Sequence, residues 1–188
     1  MIARPTDYEL IAAAQQGSRS AYGELVRLYR DSVVGVVYRM CGSLPTAEEA
    51  AQEAFLRAWQ HLSGYQPGHP FRAWIFRIAI NAALDALRRE KPTLAIGDDA
   101  DNEGWLPADG DPGPEEALES KQRAELVRKA VLRLPAPYRA PLVLREYGGL
   151  SYAEIAAALG IPLGTVMSRL NTARGQLTRS LAGLLEVL

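Results

Sequence analysis

Cysteine is nearly missing: Cys41 is the only one in 188 residues, so no intramolecular disulfide forms and a disulfide-stapled scaffold is excluded. A lone thiol of this kind is expected to pack as a small apolar side chain. Long apolar runs are missing as well. The longest near the N-terminus, Leu10 to Ala14, is far shorter than the ~18 residues of a membrane span and too short for a signal-peptide core. The chain is therefore expected to be soluble and cytoplasmic, with no membrane insertion. Histidine is limited to His61 and His69, neither at metal-ligand spacing to Cys41 or to a carboxylate cluster, so no metal site and no cofactor are expected. A phosphate-binding glycine loop and a nucleophile with a His/Asp set are also lacking, which argues against an enzyme and against a small-molecule substrate. What is present, 48% hydrophobic and 23% charged residues, is the composition of a globular chain with real cores.

Net charge is almost absent too, at −1 from 21 basic and 22 acidic side chains. Evenly spread, that balance would argue against a nucleic-acid partner. It is not evenly spread. Residues 92–116 hold eight acids and no Lys or Arg, whereas residues 1–91 hold 11 basic against 9 acidic groups and residues 117–188 hold 10 against 5. The acidic segment also carries Pro92, Pro107, Pro112 and Pro114 and no sustained apolar period, so it reads as a solvated, flexible linker. Trp105 and Leu106 are its only bulky apolar pair.

On both sides of the linker the apolar pattern is helical, predicting an all-α chain of two small helical domains on a tether, 1–91 and 117–188. Helices are expected at about 7–16, 20–41, 45–62 and 70–90, then 115–133, 135–147, 151–159 and 163–185. Leu25, Leu28, Tyr29 and Val33 are expected on one face of the second. Leu142 to Leu144 is the only run that tempts a strand assignment, and its context is helical.

The last two helices carry a helix-turn-helix signal. Ser151 and Glu154 form a capping box, Ile155 and Leu159 point inward, Gly160 makes the turn and Pro162 opens the second helix, whose Val166 and Leu170 face the core. Thr165, Met167, Ser168, Arg169, Asn171, Thr172 and Arg174 are left pointing outward. Such a face suits a major groove, with Ser and Asn on base edges and Arg on phosphates. Arg145 and Arg179 add positive charge nearby.

A second feature is again an absence. From Ala54 to Leu84 there is no acid in 31 residues, yet 5 of the chain's 14 aromatics, Trp59, Tyr65, Phe71, Trp74 and Phe76, fall here within 18 residues beside Arg57, Arg72 and Arg77. Aromatics among cations suit unstacked bases, each worth about 1–3 kcal/mol when stacked. Trp59 and Phe76, with Phe55 and Ile80, have core spacing. Tyr65, Phe71 and Trp74, around a loop with Gly64, Gly68 and Pro70, fit stacking or packing equally. Upstream, Glu48, Glu49, Gln52 and Glu53 stand on an alanine background. They suit the helix dipole, or a docking surface for another protein's basic helix.

Glu48-Glu-Ala-Ala-Gln-Glu-Ala-Phe-Leu-Arg-Ala-Trp, followed by Phe71-Arg-Ala-Trp-Ile-Phe-Arg-Ile-Ala-Ile-Asn-Ala-Ala-Leu-Asp, resembles conserved region 2 of bacterial sigma factors. Leu134-Pro-Ala-Pro-Tyr-Arg-Ala-Pro-Leu-Val-Leu-Arg-Glu-Tyr-Gly-Gly-Leu-Ser-Tyr-Ala-Glu-Ile-Ala resembles region 4, and the pair without an intermediate domain is similar to the extracytoplasmic-function class. The resemblance implies a non-catalytic partner of core RNA polymerase that reads an upstream duplex element of promoter DNA and captures single-stranded bases of the −10 element. It places Glu49, Gln52 and Glu53 on the polymerase-docking helix. Tyr65 and the 63–70 loop fall at a flipped-base pocket, with Phe71, Arg72, Trp74, Arg77 and Asn81 on the adjoining surface. The outward face from Thr165 to Arg174 falls on the −35 element, and an anti-sigma protein is implied as a further partner. Met167 and Thr172 stand where the family commonly has basic residues, which implies a weaker electrostatic share in duplex binding. A stand-alone helix-turn-helix regulator with an N-terminal sensor or dimerisation domain accounts for residues 134–180 but not for the acid-free aromatic stretch.

Overall fold

The computed structural model describes residues 6–66, 68, 70–89 and 114–185, and side chains in the last stretch from 122 to 182. Residues 92–113, most of the expected linker, lie outside the described residues, as do Trp105 and Leu106. Among the described residues every regular element is helical: α1 (Asp7–Gln15), α2 (Arg19–Cys41), α3 (Leu44–His61), a short 3-10 turn (Leu62–Gly64), α4 (Phe71–Arg89), α5 (Pro114–Arg133), α6 (Ala136–Glu146), α7 (Tyr152–Leu159) and α8 (Leu163–Leu185). No single helix among them is long and apolar enough to cross a membrane.

Local chemistry accounts for most boundaries. The Thr6 and Ser151 hydroxyls accept from the amides of Glu9 and Glu154, and the cap amides in turn donate to the glutamate carboxylates, which starts α1 and α7. Ser18 and Ser43 cap α2 and α3, with Pro45 in the first turn of α3. The expected strand-like run Leu142 to Leu144 lies inside α6 and is fully buried. A helix covered on more than one side shows consecutive apolar residues just as a buried strand does, so period alone does not separate them.

In the N-terminal half, Ala47, Ala50, Ala51, Ala54 and Ala58 form a seam at most 4% exposed along α3. Small side chains let α2 and α4 approach closely, and their bulk fills the space: Leu25, Val33, Val36 and Met40 from α2, Ile75, Phe76 and Ile80 from α4, all at most 1% exposed. The alanines are therefore core, and not part of an exposed docking patch. Leu28, expected with Leu25 and Val33, is instead 49% exposed. The reason is position along the helix: Val33 to Tyr38 are buried on every side, whereas Leu28 lies in the N-terminal part of α2, where only Ala21 and Leu25 are buried. Cys41 is half-buried, with Sγ 4.0 Å from the Ala83 carbonyl.

The two halves share one continuous core. α2 packs on α5 and α6, and α4 packs on α6 and α7. Polar ties cross the seam at the C-terminus of α2, where four backbone carbonyls are left without helical partners. Arg139 of α6 donates to the Met40 carbonyl and Arg128 of α5 to the Gly42 carbonyl at 3.2 Å. Arg39 lies 3.9 Å from the centre of the Tyr147 ring.

Candidate nucleic-acid interface

The helix-turn-helix is built on two glycine requirements. A Cβ at Gly148 would sit 2.6 Å from the Leu144 carbonyl oxygen, so no other residue fits the exit from α6 without displacing backbone. Gly160 ends α7 at φ +63, the left-handed conformation that turns the chain into α8. Arg145 secures the first of these turns by donating to the Leu150 carbonyl at 2.8 Å. Ile155, Val166, Leu170 and Ala173 bury their side chains at 1% exposure or less, which locks the orientation of α8.

With that register set, Met167, Ser168, Asn171 and Thr172 project into solvent, while Thr165 and Arg169 are half-buried. Met167 is 54% exposed, an apolar group in the middle of a polar face. Ser168 donates its hydroxyl to the Thr165 carbonyl at 3.1 Å and keeps its acceptor positions outward. Arg174 is exposed but engaged: it pairs with Glu146 at 2.9 Å and lies 3.4 Å from the Tyr152 hydroxyl. These bonds raise its pKa further above the ordinary arginine value and tie α8 to α6 and α7. Arg174 thus belongs as much to the scaffold as to the outward face, a role its neighbours in sequence do not reveal.

In the N-terminal half the expected single surface on α4 divides. Trp74, Arg77 and Asn81, at i, i+3 and i+7, share one stripe, with Arg77 and Asn81 exposed and Trp74 half-buried. Arg72 lies about 140° from Arg77, and further still from Trp74 and Asn81, around the axis at ~100° per residue. It reaches toward the other half, with its guanidinium nitrogens 3.4 Å from where a Cβ would stand at Gly149. Phe71 and Tyr65, at 3% and 7% exposure, are core. Their rings pack edge-on at 5.8 Å between centroids, and each meets Trp74, at 5.5 and 5.2 Å. Stacking or packing was open for these aromatics from sequence; burial assigns the rings of Tyr65 and Phe71 to packing, because the 3-10 turn swings Tyr65 back under α4. Among the described residues beyond it, Gln66, Gly68 and Pro70 are exposed. Trp59 packs on Tyr22 at 4.8 Å, and Phe76 is fully buried.

On α3, Glu49 and Gln52 are exposed and Glu53 is half-buried. With Thr46, Leu56, Ala86 and Arg89 they line an open groove of about 300 Å³ between α3 and the end of α4. Leu56 offers an apolar side chain, 60% exposed, amid the polar ones. Glu53 is held by Arg57 at 2.7 Å, and the same guanidinium reaches Asp85 of α4 at 3.1 Å. The two carboxylates raise the Arg57 pKa, and through them the guanidinium links α3 to α4. Among the described residues no group of three or more His, Cys, Asp or Glu is arranged to hold a metal ion.

Comparison with known proteins fits this division into two faces. The family pattern Sigma-70 region 2 matches residues 25–93, and the pattern Sigma-70, region 4 matches residues 124–177. The ECF RNA polymerase sigma factor SigW of Bacillus subtilis is 34% identical over 93% of this chain and 96% of its own length. The ECF RNA polymerase sigma-E factor of Escherichia coli is 33% identical over 90% of this chain and 91% of its own length. Among solved structures, CnrH in complex with the cytosolic domain of CnrY superposes at a TM-score of 0.70 with 25% identity, covering 94% of this chain and 97% of that one. With both patterns matched in order on either side of the seam, the chain belongs to the extracytoplasmic-function class of sigma-70 family sigma factors.

Proposed function

We propose that this chain is a non-catalytic specificity subunit that binds core RNA polymerase, directs it to particular promoters and promotes initiation. The carrying observation is that two different nucleic-acid faces sit on one chain: an outward polar face on α8 within a capped helix-turn-helix, and the acid-free stripe Trp74, Arg77, Asn81 on α4. The first suits duplex read through its major groove at the −35 element. The second suits a displaced single strand at the −10 element, where aromatic and cationic groups hold bases and backbone without needing the partner strand. Since Tyr65 and Phe71 are buried, they serve the −10 face by shaping it, and the contacts fall to Trp74 and to the exposed residues after Tyr65. Glu49, Gln52, Glu53 and the exposed Leu56 form the docking surface for the polymerase, an acidic rim around an apolar anchor.

The domain division 1–91, 92–116 and 117–188 is part of this reading, with the acidic segment as the connector that lets the faces reach separate promoter elements. Cytoplasmic localisation follows from the partner. An anti-sigma protein that covers one or both faces fits as regulator, in keeping with CnrH having been solved with a partner domain bound. A stand-alone regulator leaves the match at residues 25–93 unaccounted for. The test is a run-off assay with purified core polymerase and genomic fragments. Specific transcripts are expected only when this protein is added, and their appearance without it refutes the proposal.

A further inference from the structure

We propose that Gln15, the last residue of α1, is a positioning residue for single-strand capture, bracing the backbone turn from which the −10 face is built. The inference rests on the reading of that face given above. α1 precedes the residues matched to region 2, which begin at 25, so that match assigns it no part.

Gln15 Nε2 donates to two carbonyls far away in sequence, Leu62 at 3.0 Å and Tyr65 at 2.9 Å. They bracket the 3-10 turn after α3, where the Tyr65 amide also donates to the Leu62 carbonyl at 3.1 Å. One amide group thus uses both donors to set the direction in which the chain leaves Tyr65. The next residues, Gln66 and Gly68, are exposed, and the Gly68 amide donates to the Gln66 carbonyl at 2.7 Å.

The far end of this segment is held from α1 too. Asp7, in the first turn, accepts from the Tyr29 phenol, and the Tyr29 ring packs on Phe71 at 5.3 Å. Phe71 begins α4 three residues before Trp74. α1 is a firm support, since Leu10, Ile11 and Ala14 are buried and Thr6 with Glu9 closes its capping box. Both ends of the exposed turn beside the Trp74 stripe are therefore fastened to one short helix. A segment that must meet an unstacked base gains from being preorganised, because ordering it at the moment of binding costs affinity.

The test uses full-length chains assembled with core polymerase and a short randomised single-stranded DNA pool, so no promoter need be known. Gln15→Leu keeps the bulk and removes both donors, and Gln15→Lys restores a donor within reach of the same carbonyls. The wild-type holoenzyme is expected to enrich a motif. With Gln15→Leu the enrichment of the preferred base over its competitors falls about tenfold, the equivalent of ~1.4 kcal/mol, and Gln15→Lys recovers most of it. Core affinity stays near wild type in both, while the melting temperature of Gln15→Leu falls by the few degrees that two neutral hydrogen bonds account for. A general structural role would lower core affinity and weaken all DNA binding alike, leaving the base preference unaltered. That result, or undiminished preference in Gln15→Leu, overturns the proposal. If the wild type enriches no motif although it directs specific run-off, the −10 face is misassigned and this inference goes with it, while the sigma activity stands.

Discussion

Replacing Arg139 with methionine keeps the aliphatic stem but removes a guanidinium that serves three backbone carbonyls at once. It donates to Leu132 at 2.6 Å, to Leu134 at 2.8 and 3.1 Å, and across the seam to Met40. These carbonyls end α5 and α2, where no helical amide is available to them. Burial pushes the Arg139 pKa below its ordinary value. A hydrogen bond to a charged group contributes about 1.5–3 kcal/mol, and water replaces part of it because Arg139 is only half-buried. The net loss for three carbonyls is then ~3 kcal/mol, which for a chain of this size lowers the melting temperature by roughly 6–12 °C. Thermal unfolding followed by circular dichroism measures it. The Met40 bond ties the halves together, so amide exchange should also rise in the last turn of α2. A melting temperature within about 2 °C of wild type, with unchanged exchange there, would refute the reasoning.

Two further outcomes are expected. Asn171→Ala on the exposed face of α8 should flatten preference at one upstream position by about tenfold, since a bidentate amide contact to a base discriminates by ~1–3 kcal/mol; a promoter selection that returns the wild-type motif rules out that contact. The alkaline limb of stability should depend on Tyr22, whose phenol donates to the Phe55 carbonyl at 2.5 Å and whose pKa is raised above 10.0, chiefly by burial. With the folded-state pKa raised, this stabilisation is complete below the free phenol's 10.0 and is lost as pH rises through the higher folded-state value. Tyr22→Phe is therefore less stable by about 1 kcal/mol at neutral pH but loses stability less steeply in urea titrations at alkaline pH; parallel pH curves for the two proteins contradict this.

Helix positions were legible in the sequence because their causes are local. Ser151 with Glu154, Gly160 and Pro162 act on backbone groups within a few residues, and the apolar period of α8 requires one neighbour of unspecified identity. The outward placement of Ser168 and Asn171 follows from that period. The alanine background of α3 was visible too, but whether it faced a partner or the core was not, since a small side chain suits either.

What pattern could not supply is contact between residues distant in the chain. The Gln15 bonds span 47 and 50 residues, and the Arg139 bond to Met40 spans 99. Nothing in the neighbourhood of either residue signals them. Tyr65 and Phe71 looked like loop aromatics, and only the 3-10 turn and the ring of Tyr29 show why they are buried. Arg72 and Arg77 looked like one cationic surface, yet five residues of helix set them on opposite sides of α4. The amino-acid sequence by itself determined the helices, the acid-free stretch, the acidic segment and the family, because periodicity, capping and charge act along the chain. Tertiary structure decided which aromatics reach solvent, which cations are already engaged and that the halves share a core, because burial and hydrogen bonding are settled by whatever packing brings near.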